Sequence, residues 1–327
     1  MCEAEPLPSY YNFFKDLSIL LNKYWTGGYD HSNCDKFPPS YERLRKNDLI
    51  LLSILTTFFG IFHLIGSRFF RQFYSRRFPG VSLNNIQRSA EISCDAVVRM
   101  LLIIWSVVLL FGSGSECSVL WSHRDIVLHS HMSLITGHAM PAIFRLTIAM
   151  QASSYTWSII ALFINIKRKD FLVLLAHHII TIGLLYIGYT YNQPDVGIWI
   201  ALLHDVVDPF IDVMRVIKFL QLLTMSVFND MLYVFCLALW VGSRLYLFPL
   251  TAINPIVTLS YLSPASYCPY EYIGSVSSFF AVLLLLNVIW TIFIARLGFF
   301  RLWYGFWTDV TSEGRSERRE LRRKKQL

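Results

Sequence analysis

Seven stretches of mostly apolar residues recur along the chain, at 49–66, 95–113, 141–165, 171–190, 196–216, 228–249 and 275–297, with shorter polar stretches between them. Each is about 18 residues or longer, the length at which an α-helix crosses a bilayer core about 30 Å thick. The pattern predicts an all-α polytopic membrane protein with about seven transmembrane helices. The third run is interrupted by Arg145, Gln151 and several small polar residues. Before the first run, residues 11–25 carry apolar and aromatic side chains at helical spacing, which suits a helix lying on the membrane surface or packed at its edge. Residues 26–48, with Gly-Gly and Pro-Pro pairs, read as a loop, and no signal peptide is expected within 1–48.

Composition agrees with the pattern. Of 327 residues, 54% are hydrophobic and 16% charged, and the mean hydropathy is +0.46. That is too apolar for a soluble protein of this size. The charge then orients the spans. Arg68, Arg71, Arg76, Arg77 and Arg88 crowd the segment 67–93, Lys167, Arg168 and Lys169 the turn after the third run, and Arg215 and Lys218 the end of the fifth. The alternate connections are nearly free of Lys and Arg, so the Arg-rich side is read as cytosolic. The expected organisation is a lumenal segment 1–48, a first transmembrane helix 49–66, a cytosolic Arg-rich loop 67–93, a six-helix domain 94–300 and a basic cytosolic tail 301–327. The chain ends Lys324-Lys325-Gln326-Leu327, a K-K-x-x pattern similar to a retrieval signal of the endoplasmic reticulum. The net charge of +7 falls where anionic headgroups would be met, and no folded basic domain outside the membrane supports nucleic-acid binding. Cys117 and Cys268 fall in expected lumenal connections, where disulfides form, and Cys34 competes with them.

The fourth and fifth runs hold His177, His178, His204, Asp205, Asp208 and Asp212. Ionisable groups at membrane depth are costly, so they face a bundle interior and mark a working site. On one helix His204, Asp208 and Asp212 share a stripe, with Asp205 beside it. At 1.5 Å per residue, His177 lies roughly 9 Å from the cytosolic end of its span, and Asp212, Asp208 and His204 roughly 6, 12 and 18 Å from theirs. Antiparallel neighbours therefore form one site near the cytosolic leaflet. Pro209 is expected to kink the helix beside Asp208. The spacing lacks H-E-x-x-H, so a metal is not expected. A looser group of histidines at 123, 129, 131 and 138 has no ligand-like spacing.

The stretch 167–218 resembles the Lag1 motif of ceramide synthases, within the TRAM–Lag1–CLN8 (TLC) domain. The matching residues are KRKDF at 167–171, His177-His178 with Thr181, Tyr189 with Asn192, Gly197, His204-Asp205 and Asp208. Departures are Asp195 where the family often has Arg, Pro209 where it often has Phe, and Asp212 where many members have Glu. NVIWTIFIARLGFF (287–300) and GRSERRE (314–320) extend the resemblance over roughly 145–320. It implies a TLC-type bundle of six helices around a central cavity and an acyl-CoA-dependent sphingosine N-acyltransferase that makes (dihydro)ceramide at the endoplasmic reticulum. The implied partners are acyl-CoA, a sphingoid base and membrane lipids, with no cofactor beyond acyl-CoA as co-substrate. A homo- or hetero-oligomer stays open. Lys167, Arg168, Lys169, Tyr189, Asn192 and Arg215 become candidates for holding substrate.

The residue inventory suits acyl transfer to an amine. A protonated amine must lose a proton to attack a thioester, and a histidine near its ordinary pKa of about 6.5 accepts one. A carboxylate such as Asp208 would hold the imidazole tautomer and steady the imidazolium. Alternatively a histidine attacks first and forms an acyl-imidazole. His177 and His178 are about 100° apart on a helix, so both cannot face the reacting centre alike. The alternative function is a non-catalytic TLC-domain protein acting as a chaperone or lipid regulator, which need not keep His177, His178, His204, Asp205 and Asp208 together.

Overall fold

The computed structural model describes residues 44–111, 140–165, 170–220, 222, 226–253 and 270–304, with scattered positions between 15 and 25. Every regular element among these residues is helical: α1 (Lys46–Arg77), α2 (Leu83–Phe111), α3 (Ala142–Ile164), α4 (Phe171–Thr190), α5 (Pro194–Asp205), α6 (Asp208–Phe219), α7 (Ser226–Trp240) and α8 (Tyr270–Tyr304). After α7 the chain continues in π-helical turns at Val241–Leu247 and Pro249–Ile253. The turn 167–169, the expected lumenal connections with Cys117 and Cys268, Cys34, and the basic tail beyond 304 lie outside the described residues.

Among the described residues six helices are long and apolar enough to cross a membrane: α1, α2, α3, α4, the segment Val227–Ile253 and the segment Gly274–Trp303. The fifth apolar run behaves differently. It splits into α5 and α6, each of 12 residues, with a turn at Val206–Val207 between them. Pro209 has no N–H to close on the Asp205 carbonyl, and its ring crowds the preceding turn. At the first turn of α6 the same residue costs nothing, because that N–H would be unpaired anyway. The expected kink is therefore a full break.

The two halves together run from one face of the bundle to the other. At one face of the bundle Tyr189, ending α4, donates to Asp48 of α1 at 2.8 Å. At the other, Arg88 near the start of α2 lies over the ring of Phe219, which ends α6. Asp212 meets Arg99 higher on α2, so α6 runs antiparallel to α2.

The segment 67–93 is a correction to the sequence reading. It is helical apart from the turn 78–82, which contains Pro79-Gly80. Arg and Gln are good helix formers, so the helices outlast the apolar runs that reveal them. The hairpin is tied by Tyr74 Oη to Ser93 Oγ at 2.8 Å and by Arg71 Nη1 donating to Gln87 Oε1 at 3.4 Å.

At the centre stands α5, buried at every position from Gly197 to Asp205. A helix apolar on all sides belongs inside a bundle. It packs against α2, α3, α4 and the π turns. Trp199 on α5 donates from Nε1 to Thr251 Oγ1 at 2.8 Å, which satisfies an indole N–H that lipid could not. The outer face of α1 is apolar in the opposite sense: Ile54, Phe58, Ile61 and Ile65 are exposed along one stripe, as a lipid-facing surface requires. On its inner face Gly60 admits the ring of Trp157, which a Cβ there would approach to 2.8 Å.

Candidate active site

Where α5 breaks, six other elements converge. α4 brings His177 and His178, both buried. The last turn of α5 brings His204 and Asp205, and α6 brings Asp208 and Asp212. α2 supplies Arg99, α3 supplies Tyr155, the first π segment supplies Arg244, and α8 supplies Asn287 and Trp290.

The three imidazoles form one group with different surroundings. The rings of His177 and His178 are 5.5 Å apart, and those of His177 and His204 5.9 Å. His204 is committed at both nitrogens. Its Nδ1 lies 2.9 Å from the Ile200 carbonyl, which only accepts, so Nδ1 carries the proton. Its Nε2 then accepts from Asn287 Nδ2 at 3.1 Å. His178 packs against the ring of Tyr155 at 5.6 Å, and Tyr155 donates to Asp205 Oδ1 at 2.8 Å. His177 packs edge-on against Trp290 at 5.2 Å, and its buried Nδ1 has no hydrogen-bond partner among the described residues.

Asp208 and Asp212 are bound to guanidinium groups rather than to imidazoles. Asp212 meets Arg99 at 2.9 Å and Arg215 at 3.0 Å. Asp208 meets Arg244 at 2.6 Å and Arg99 at 3.5 Å. Counting Asp205, which accepts from Tyr155, three carboxylates stand with the three guanidinium groups of Arg99, Arg215 and Arg244, a balanced set of charges, as burial at membrane depth demands. Arg244 is only 3% exposed, stacks on Trp240 at 3.9 Å, and also donates from Nη2 to the His204 carbonyl.

Two expectations about geometry change. Asp208 was expected to hold an imidazole tautomer. Among the described residues it is held by Arg244 and Arg99, while Ile200 and Asn287 fix His204. A ruler along one straight helix set Asp208 and Asp212 level with the histidine pair. The break at Val206–Val207 instead leaves His204 beside His177 and turns Asp208 and Asp212 toward α2 and the π turns.

Of the substrate-holding candidates, Arg215 joins the cluster through Asp212. Tyr189 and Asn192 do not: they lie at the far end of α4, with Tyr189 roughly 18 Å along the helix from His177. Asn192 adopts φ 54° in the turn to α5, a conformation that Asn tolerates better than most residues. Lys167, Arg168 and Lys169 lie outside the described residues. Among the described residues no group of His, Cys, Asp and Glu converges as metal ligands.

Sequence reasoning missed Arg99, Arg244, Tyr155 and Asn287. The signal for the arginines was present, since both sit inside apolar runs as the histidines do. A buried tyrosine or asparagine carries no such mark.

A family model described as the TLC domain matches residues 91–296. Ceramide synthase 5 of Homo sapiens is 32% identical over 165 residues, 50% of this chain and 40% of that protein. Ceramide synthase hyl-1 of Caenorhabditis elegans is 32% identical over 157 residues, 46% of this chain and 42% of that protein. Ceramide synthase LOH2 of Arabidopsis thaliana is 28% identical over 181 residues, 53% of this chain and 58% of that protein. In each case the chain spans less than two thirds of the relative's length.

Proposed function

This chain belongs to the TLC-domain family, and on that premise we propose that it is a ceramide synthase, transferring a fatty acyl group from acyl-CoA to the amine of a sphingoid base. The observation that carries the reading is His177. It is a buried imidazole with Nδ1 unbonded among the described residues, beside a second histidine and next to a charge-balanced Arg/Asp cluster. A purely structural histidine at this depth would be expected to have its nitrogens satisfied, as His204 has.

The reaction makes one N–C bond and breaks one C–S bond. The sphingoid ammonium gives up a proton, its nitrogen attacks the thioester carbonyl, and the thiolate of CoA leaves and is protonated. His204 is ill suited to accept that proton, because its basic lone pair already accepts from Asn287. The acceptor is therefore His177 or His178, and the same pair offers the nucleophile for an acyl-imidazole route. The Arg/Asp cluster, neutral as a set, lies beside the imidazoles without adding net charge of its own. Transient charge on an imidazolium or on the tetrahedral oxygen is then felt in an environment with fixed dipoles and little water.

The setting follows from the same reading. Acyl-CoA and the sphingoid base reach the site from the cytosolic side of the endoplasmic-reticulum membrane, and the segment after α8 lies in the cytosol. The test uses microsomes from cells expressing the chain, a labelled sphingoid base and acyl-CoAs of several lengths. Labelled amide above background at one or more lengths supports the function. None at any length leaves the non-catalytic TLC-domain reading ahead.

A further inference from the structure

We infer that Arg244 is a positioning residue, a latch that holds the two halves of the broken span in register and thereby sets the imidazoles for the reaction; the inference rests on the proposed acyl transfer. Three observations meet at this side chain. The first is where it starts. Arg244 lies on a π-helical turn, in which one more residue per turn is accommodated than in an α-helix, and such turns change the direction in which side chains project. The second is what it binds. One nitrogen, Nη2, donates to the carbonyl of His204 on the last turn of α5 and to Oδ1 of Asp208 on the first turn of α6. A break in a membrane span frees backbone groups that lipid cannot satisfy, and another group must take them up. Arg244 does this for the His204 carbonyl and, with the same group, pairs with the carboxylate on the far side of the break.

The third observation is its reach toward the other histidines. The guanidinium stacks on Trp240, which is fixed by its own donation to Thr291 Oγ1 at 2.9 Å. Trp240 packs edge-on against Trp290 at 6.2 Å, and Trp290 packs edge-on against His177 at 5.2 Å. Arg244 thus touches the backbone of His204 directly and reaches His177 through two indoles. A lysine has one compact ammonium, without the planar face that stacks on Trp240.

Arg244 touches none of the reacting groups in this arrangement, so its effect is exerted through register. Displacement of a reacting group by about 1 Å costs about 100-fold in rate. Arg244→Gln is expected to lower kcat by about that factor while KM for acyl-CoA moves less than about threefold, since uniform binding is untouched. Arg244→Lys should recover part of kcat. Arg244→Gln combined with Asp208→Asn should lose less than the product of the two single losses, because both report the same latch. All rates are taken per folded molecule, from purified chain in lipid nanodiscs. Hydrogen exchange on the same samples gives a readout that needs no activity: Arg244→Gln should speed exchange over residues 203–211 and leave α1 and the α1–α2 hairpin unchanged. If the wild-type chain makes no amide, the functional reading falls while the exchange result still decides the latch. Exchange unchanged over 203–211 overturns the proposal. So does a kcat at the wild-type level, a loss carried by KM alone, or losses that multiply in the double variant.

Discussion

Removing Arg99 should damage the protein more than removing its nearest carboxylate. Arg99 bridges two acids, Asp212 at 2.9 Å and Asp208 at 3.5 Å. In Arg99→Met, Asp212 keeps only Arg215, Asp208 keeps only Arg244, and three carboxylates face two guanidinium groups. Breaking a buried ion pair from one side costs about 3–5 kcal/mol. A quarter of the Arg99 and Asp208 side chains stays exposed, at 25% and 26%, which favours the low end. The expectation is therefore about 3 kcal/mol. Asp212→Asn differs, because Arg99 retains Asp208 and Arg215, 36% exposed, can turn to water. Its cost should be about 1.5 kcal/mol, the low end for one hydrogen bond to a charged group. The double variant removes one charge of each sign and should fall short of the sum by at least about 1 kcal/mol. Unfolding of each purified variant in mixed micelles, followed by Trp fluorescence against added denaturing detergent, gives these differences. If Asp212→Asn costs as much as Arg99→Met, or if the double variant equals the sum, the balanced-charge description of the cluster is refuted.

Three further outcomes are expected. Asn287→Leu removes the donor to His204 Nε2 and should lower kcat about tenfold with folded yield nearly retained, read from steady-state rates per folded molecule. Gly60→Leu places a side chain against the Trp157 ring and should cost about 1–3 kcal/mol in the same unfolding assay. A tag after Leu327 should be cleaved by protease added to sealed microsomes; a protected tag would reverse the orientation read from the arginines.

The helices were legible because each apolar run has to hide its backbone from lipid, and only a helix does so locally. Their ends were less so. Arg71, Arg76 and Arg77 look like a loop to a hydropathy scan, yet they are good helix formers and extend α1 into the hairpin. The break before Asp208 was half legible. Pro209 announced a disturbance, but whether a proline kinks or breaks a span depends on partners from elsewhere, here Arg244 across the gap. The histidines and aspartates of the site stood out because ionisable groups in apolar runs are rare. Their pairings did not, because Asp208 finds its partners on α2 and on a π turn, at sequence separations that no local spacing encodes. Asn287 sat within a stretch already matched to the family, but its bond to His204 needed coordinates.

The central claim is that the paired histidines transfer acyl groups, and purified chain tests it without cellular enzymes. Wild type, His177→Ala, His178→Ala and Asp208→Ala are reconstituted in nanodiscs with a long-chain acyl-CoA and a labelled sphingoid base, and amide is counted per folded molecule. The account predicts steady amide formation by the wild type, and a loss of at least about 100-fold in each variant, with folded yield largely kept in the two histidine variants. Amide formation by all three variants near the wild-type rate would contradict it, as would a wild type that makes none.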